Sequence, residues 1–106
     1  MSTYKILRTD TADSQLRQIM LYIAENWGAD AALEKLDEIE HQIRILEKNP
    51  YIGSAPHYRI LRRQGYKVLI LEKNLVFYKI DDENKTVTVY AIVDQRQDYL
   101  NIIRGL

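Results

Sequence analysis

The spacing of hydrophobic residues predicts a strand and two helices in the first half of the chain. Apolar and polar residues alternate over residues 4–8, the period-two pattern of a short strand. A first helix, capped by Asp10 and ending near Gly28, is predicted from the helical spacing of Leu16, Ile19, Met20 and Ile23. A second apolar seam predicts a helix over residues 29–48, which Asn49-Pro50 ends because the residue before proline disfavours the α region. The two helices can pack as an antiparallel hairpin.

The second half of the chain predicts a sheet. Residues 66–72, 75–80 and 86–93 are rich in β-branched and aromatic side chains, and the turns between them are short enough to make them antiparallel. Residues 58–63 are either an edge strand or the lead-in to the first of these strands, and residues 99–106 are a short final helix. Both alternating sets in residues 75–80 are largely apolar, which indicates a strand covered on both faces or one whose second face a partner covers.

This order predicts one α+β domain over residues 1–106, in which an N-terminal strand and an α-helical hairpin pack on a twisted, mainly antiparallel sheet (β-α-α-β-β-β). We expect Tyr4, Tyr22, Tyr78 and Tyr90 to be packed in the core or held by their hydroxyls. Trp27 is expected to fasten the hairpin to the sheet. A chain of this length can build one core.

The composition excludes several kinds of site. The chain has no cysteine, so disulfides, thiolate zinc sites and cysteine nucleophiles are absent. The acidic stretch Asp37, Glu38 and Glu40 lacks the spacing of metal ligands, and we expect no metal and no other cofactor. No apolar run has the length of a membrane-spanning helix, and the N-terminus lacks the pattern of a signal peptide, so we expect a cytoplasmic protein without a membrane partner.

Charge is balanced overall but divided unevenly along the chain. Lys plus Arg equals Asp plus Glu at 15 each, yet residues 1–56 carry 6 basic and 9 acidic side chains, and residues 57–106 carry 9 and 6. The densest basic stretch contains Arg59, Arg62, Arg63 and Lys67 with no acid among them. These residues are either a solvated edge that discourages aggregation or, together with Tyr66 and Arg96, a surface that contacts a target or a partner.

Four short motifs in order resemble the RelE/ParE toxin superfamily. They are Pro-Tyr-Ile-Gly at 50–53, Gly-Tyr-Lys-Val-Leu at 65–69, Leu-Val-Phe-Tyr-Lys-Ile-Asp at 75–81 and Arg-Gln-Asp-Tyr at 96–99. The resemblance covers nearly the whole chain and implies the toxin of a type II toxin-antitoxin pair, which acts when a labile antitoxin is lost. It also implies a cognate antitoxin that lays helices or an extended arm across the toxin, so that DNA is contacted only indirectly, through the antitoxin.

Members of this superfamily use two kinds of chemistry. RelE-like members cut messenger RNA on the ribosome, which requires an acid, a base and cations around the reacting phosphate. The resemblance places Lys67 and Arg96 on basic positions of the nuclease pattern. Its late tyrosine falls near Ile102, and Tyr99 is close enough in sequence for a shifted C-terminal tail to bring it into the acid–base role. Leu69 and Asn74 stand where that pattern has further cations.

ParE-like members inhibit DNA gyrase and so block replication. The strand 75–79 and the Arg96-Gln97-Asp98 ending reproduce the ParE-like pattern, although Asp94-Gln95 replaces its usual His-Gly turn. Balanced charge also argues against docking on ribosomal RNA, because such affinity comes mainly from neutralising phosphates. The sequence therefore favours a ParE-like gyrase inhibitor over a RelE-like mRNA endoribonuclease, with an inactive module that only binds an antitoxin as a third alternative.

Overall fold

The helical hairpin forms where the apolar periodicity predicts it. The computed structural model describes residues 3–97, 99–104 and 106, and in it β1 (Lys5–Arg8) leads into α1 (Asp10–Trp27) and α2 (Ala29–Ile45). The cap of α1 is Thr9 and not Asp10, because Thr9 has the extended backbone that a capping residue needs and its side chain accepts a hydrogen bond from Ala12 N at 3.1 Å. Gly28 separates the helices at a positive φ of 95°.

The remaining elements follow the predicted order with one exception. A 3₁₀ turn (Pro50–Ile52) precedes α3 (Arg59–Arg63), after which come β2 (Lys67–Ile70), β3 (Asn74–Asp81), β4 (Thr86–Asp94) and α4 (Tyr99–Arg104). No helix in the described part of the chain combines the length and apolarity that crossing a membrane requires.

The exception is α3, since residues 59–63 were expected to be an edge strand or the lead-in to one. A strand that turned Leu61 toward the core would also turn Arg59 and Arg63 inward, because side chains alternate with a period of two. A single helical turn buries Leu61 completely and leaves all three arginines exposed. The cost of burying a guanidinium explains why the helix is preferred.

The four strands form one mixed sheet in the order β1-β4-β3-β2. β1 is parallel to β4, and the other neighbouring pairs are antiparallel. Phe77 pairs with Ala91 and Tyr78 pairs with Val89, so Tyr90 is an extra residue in β4. This bulge places Tyr90 and Ala91 on the same face of the sheet.

Both faces of the sheet carry a hydrophobic core, so the expectation that a chain of this length builds a single core is wrong. The inner face packs against α1 and α2, and its buried residues include Leu16, Ile39, Val76, Tyr78 and Val89. The outer face packs against α3 and α4, and its buried residues include Leu61, Tyr66, Phe77, Val93 and Ile103. β3 is therefore covered on both faces by its own chain. The predicted α+β fold, with a helical hairpin on a mainly antiparallel sheet, is confirmed.

Candidate functional site

The basic stretch that begins at Arg59 does not form one continuous surface. The exposed Arg62 is engaged by the preceding loop, because its Nη1 donates hydrogen bonds to the carbonyl oxygens of Pro56 and His57, each at 2.8 Å. Arg59 and Arg63 lie on the same short helix and are exposed. These two arginines are the members of the stretch that remain available on α3 for an external anion.

Tyr66 and Lys67 are adjacent in sequence but lie on opposite faces of the sheet. Tyr66 is buried on the outer face, and burial raises the pKa of its hydroxyl. Lys67 pairs with Tyr78 and therefore lies on the inner face, where its Nζ lies 5.6 Å from the centroid of the Tyr51 ring. This separation follows from the period-two geometry of a strand.

Aromatic rings form a continuous chain across the outer face. Tyr99 on α4 lies 5.2 Å from Phe77 and 5.5 Å from Tyr58, measured between ring centroids. Tyr66 continues the chain, with centroid distances of 6.4 Å to Phe77 and 5.6 Å to Tyr90. Burial, with a smaller contribution from Tyr58, raises the pKa of Tyr99, so its hydroxyl stays protonated at neutral pH. Tyr99 thus packs α4 onto the sheet.

Arg96 lies just beyond the end of β4 and is held by Asp94. Its Nε and Nη2 donate hydrogen bonds of 3.1 and 3.2 Å to the two carboxylate oxygens, and its backbone N–H donates a third of 2.8 Å. Hydrogen bonding to Arg96 holds the pKa of Asp94 below its ordinary value. The Arg96 side chain is 89% exposed, so Asp94 orients the guanidinium without covering it. Asp98, which the sequence placed in the same motif, lies outside the described residues.

Arg96 also lines a groove with a volume of about 1150 Å³ between α1, the β2–β3 turn and the end of β4. Its wall includes Tyr22 and Trp27, which are 59% and 65% exposed and contact each other edge to face. The expectations that Tyr22 is packed and that Trp27 fastens the hairpin to the sheet are wrong. Both residues fall outside the apolar seam of Leu16, Ile19, Met20 and Ile23 from which the helix was predicted.

Tyr4 and Tyr51 form a separate cluster at the far end of the sheet. Both hydroxyls donate hydrogen bonds to the Asp82 carboxylate in the β3–β4 turn. These bonds lower the pKa of Asp82, and the bond to Asp82 raises the pKa of Tyr51 to about 12. The cluster ties the N-terminal strand and the segment after α2 to the same turn. It confirms the expectation that Tyr4 is held by its hydroxyl.

The chain matches, over residues 6–99, the family model described as the ParE toxin of type II toxin-antitoxin system, parDE. The chain belongs to the ParE toxin family. It is 31% identical over 94 residues to Toxin ParE1 of Mycobacterium tuberculosis, which covers 89% of this chain and 92% of that protein.

Solved structures of the superfamily share the fold. A chain from a chromosomal ParDE system of P. aeruginosa matches with a TM-score of 0.72 at 19% identity, covering 87% of this chain and 96% of that one. A mutant of the E. coli toxin RelE in the free state matches with a TM-score of 0.63 at 13% identity, covering 98% and 99%. At these identities the likeness concerns the fold, and the ParE family is established by the sequence matches.

In this ParE-family toxin the three residues of the nuclease alternative do not converge. Lys67 lies on the inner face and Tyr99 on the outer face. Asp94, two residues before Arg96, pairs with Asn74 on β3. Lys67 pairs with Tyr78, which lies four positions away from Asn74 on the same strand. At about 3.3 Å per residue this is a separation of ~13 Å along the strands. The three residues thus lie apart along the strands and on two faces of the sheet.

Proposed function

We propose that this ParE-family toxin inhibits DNA gyrase and that a cognate antitoxin neutralises it. The observation that carries the proposal is the separation of Lys67, Arg96 and Tyr99, which leaves a RelE-like cleavage of messenger RNA without an assembled acid, base and cation set. Inhibition of a large enzyme by docking needs only complementary surfaces, and it requires no catalytic geometry.

The exposed cations Arg59, Arg63 and Arg96 are the residues that we propose for contact with gyrase. Arg59 and Arg63 are exposed on α3, and Arg96 is exposed with its guanidinium oriented by the Asp94 carboxylate. Pre-ordered charges at a surface accelerate encounter and lose little entropy on binding.

A supercoiling assay with purified gyrase and relaxed plasmid tests the proposal. The chain should block supercoiling, and replacing Arg59 and Arg63 together by alanine should raise the concentration needed for half inhibition. Arg17→Ala is the matched control, because Arg17 is an exposed arginine on the helical hairpin that donates to Ser14 Oγ. Unimpaired supercoiling at high toxin concentration would contradict the proposal.

Incorporation of labelled thymidine and methionine in bacteria separates the three functions. Gyrase inhibition predicts that thymidine uptake fails first after induction of the toxin without an antitoxin. Early failure of methionine uptake, with cleaved messenger RNA, would establish the RelE-like alternative acting through the ribosome. Normal growth with both uptakes intact would leave a module that only binds an antitoxin.

A further inference from the structure

Lys79 occupies an unusual position on the outer face of the sheet. The β2–β3 register places it beside Tyr66, and the β3–β4 register pairs it with Thr88. Its Nζ lies 4.5 Å from the centroid of the Tyr66 ring and 5.1 Å from that of Tyr90. We call Lys79, Tyr66 and Tyr90 the lysine cradle.

The cradle holds a positive charge without neutralising it. Among the described residues, no carboxylate lies within ion-pair distance of Lys79, whose side chain is half-buried. Asp81, two positions further along the same face, has both carboxylate oxygens engaged by Asn84. Ring faces attract an ammonium but supply no hydrogen-bond acceptor as strong as a carboxylate, so the N–H donors of Lys79 remain available to an external anion.

From this arrangement we infer that the lysine cradle is a recognition site for a side-chain carboxylate of a protein partner. Given the proposed function, that partner is an acidic segment of the antitoxin. A half-buried ammonium whose position is already fixed by two rings can accept a carboxylate with little loss of side-chain entropy.

The surroundings favour a protein segment over nucleic acid. The ring of Tyr66 is nearly buried, makes T-shaped contacts with Phe77 and Tyr90, and has Lys79 over its face. A nucleobase would therefore find no free face of Tyr66 on which to stack, although stacking supplies much of the affinity for single strands.

Lys79, Thr88 and Leu7 form a row of paired residues on three neighbouring strands, and the apolar Leu7 is its last member. Thr88 pairs with Leu7 of the edge strand, whose side chain is 41% exposed on the outer face. Arg59 and Arg63 extend the positive charge on the neighbouring α3. A segment in which carboxylates are flanked by apolar side chains complements both features.

NMR titration of the toxin chain tests the inference without an antitoxin. The probe is a capped hexapeptide in which leucine and glutamate alternate, and the comparison probes are the same peptide with glutamine for glutamate and a ten-nucleotide oligothymidylate. We expect saturable amide shifts around Tyr66, Lys79, Thr88 and Tyr90 with the glutamate peptide, and much smaller shifts with the other two.

Lys79→Gln should weaken binding of the glutamate peptide at least about tenfold, the usual loss for a hydrogen bond to a charged group. Lys48→Gln is the control, because Lys48 is exposed after the helical hairpin and its loss should leave binding unchanged. Should Lys79→Gln fold poorly by circular dichroism, Thr88→Val tests the same row at a neighbouring strand.

Two results would overturn the inference. Stronger shifts with oligothymidylate than with the glutamate peptide would make this face a nucleic-acid surface, and equal affinity of Lys79→Gln and the native chain would remove the role of Lys79. Neither result depends on gyrase. Growth arrest and supercoiling report separately on the proposed function, so the two failures are distinguishable.

Discussion

Removing the hydroxyl of Tyr78 should destabilise the fold more than removing any exposed hydroxyl. This hydroxyl is fully buried, donates to Pro50 O at 2.7 Å and accepts a hydrogen bond from Gly53 N at 3.1 Å. It is the point at which the segment after α2 is fixed to the central strand. Phenylalanine preserves the ring packing and removes both bonds.

The expected cost of Tyr78→Phe is about 2 kcal/mol. Each hydrogen bond contributes roughly 1 kcal/mol net, and a buried carbonyl left without a partner adds its own desolvation cost. The carbonyl is that of Pro50, which is buried, whereas Gly53 is half-buried and can recover part of its loss from water. For a domain of this size the change corresponds to a fall in Tm of about 10 °C.

Urea denaturation followed by circular dichroism measures this cost. Tyr22→Phe is the control, because its ring is exposed and its stability should change by less than about 0.5 kcal/mol. A loss for Tyr78→Phe no larger than that of the control would refute the reasoning, since it would mean that the hydroxyl does not anchor the segment.

Gly53→Ala gives an independent measure of the same contact. A Cβ at Gly53 would overlap the Tyr78 hydroxyl and lie 2.8 Å from Val68 O, although φ of −71° and ψ of 168° suit alanine. The cost is therefore steric, at about 2 kcal/mol for an overpacked site. It should be smaller in the Tyr78→Phe background, and strict additivity in the double-mutant cycle would contradict the proposed contact.

Three further predictions concern single contacts. Thr9→Ala should cost about 1 kcal/mol of unfolding free energy in urea melts, because Ala12 N loses its cap, and Thr9→Ser should restore most of it. Tyr51 should titrate near pH 12 by ultraviolet absorbance and return toward 10 in Asp82→Asn. Because its folded pKa is raised above 10.0, its contribution to stability is complete below pH 10 and lost as pH rises through about 12. Trp27, the only tryptophan, should show solvent-exposed emission that acrylamide quenches, whereas a blue-shifted and protected emission would mean that the groove is closed.

The order of elements was predictable because it depends on local periodicity and turns. The helical hairpin follows from apolar residues spaced at three and four positions, and β3 and β4 follow from β-branched runs with short polar connections. The two apolar sets of residues 75–80 left open whether the chain itself or a partner covers the second face of β3, and the structure shows that the chain covers both faces. In these places the local pattern and the tertiary environment agree.

Other features depend on contacts that no local pattern encodes. The bulge at Tyr90 shifts Ala91 to the outer face through pairing with β3, and the sequence of β4 carries no glycine or proline that would mark it. The helical turn of α3 forms because only Leu61 of that stretch finds a core. The exposure of Trp27 likewise depends on how far the sheet extends beneath α1.

The candidate contact residues were predictable by type but not by role. A run of arginines in the sequence suggested one basic surface, yet hydrogen bonding commits Arg62 to the preceding loop and leaves Arg59 and Arg63 free. The sequence did not single out Lys79, because one lysine in an apolar strand is expected to pack its aliphatic stem and hold its ammonium in solvent. Only the cross-strand neighbours, Tyr66 and Tyr90, distinguish it.

After folding, the acidic and basic halves of the sequence lie largely on different sides of the sheet. The helical hairpin on the inner face belongs to the acidic half of the sequence, whereas α3 and most of the outer face belong to the basic half. A zero net charge therefore does not imply a weak local field, because charges in salt solution act over roughly 8 Å and the two halves lie on different sides of the sheet. A partner that approaches α3 on the outer face meets the exposed Arg59 and Arg63, so association there should slow as ionic strength rises.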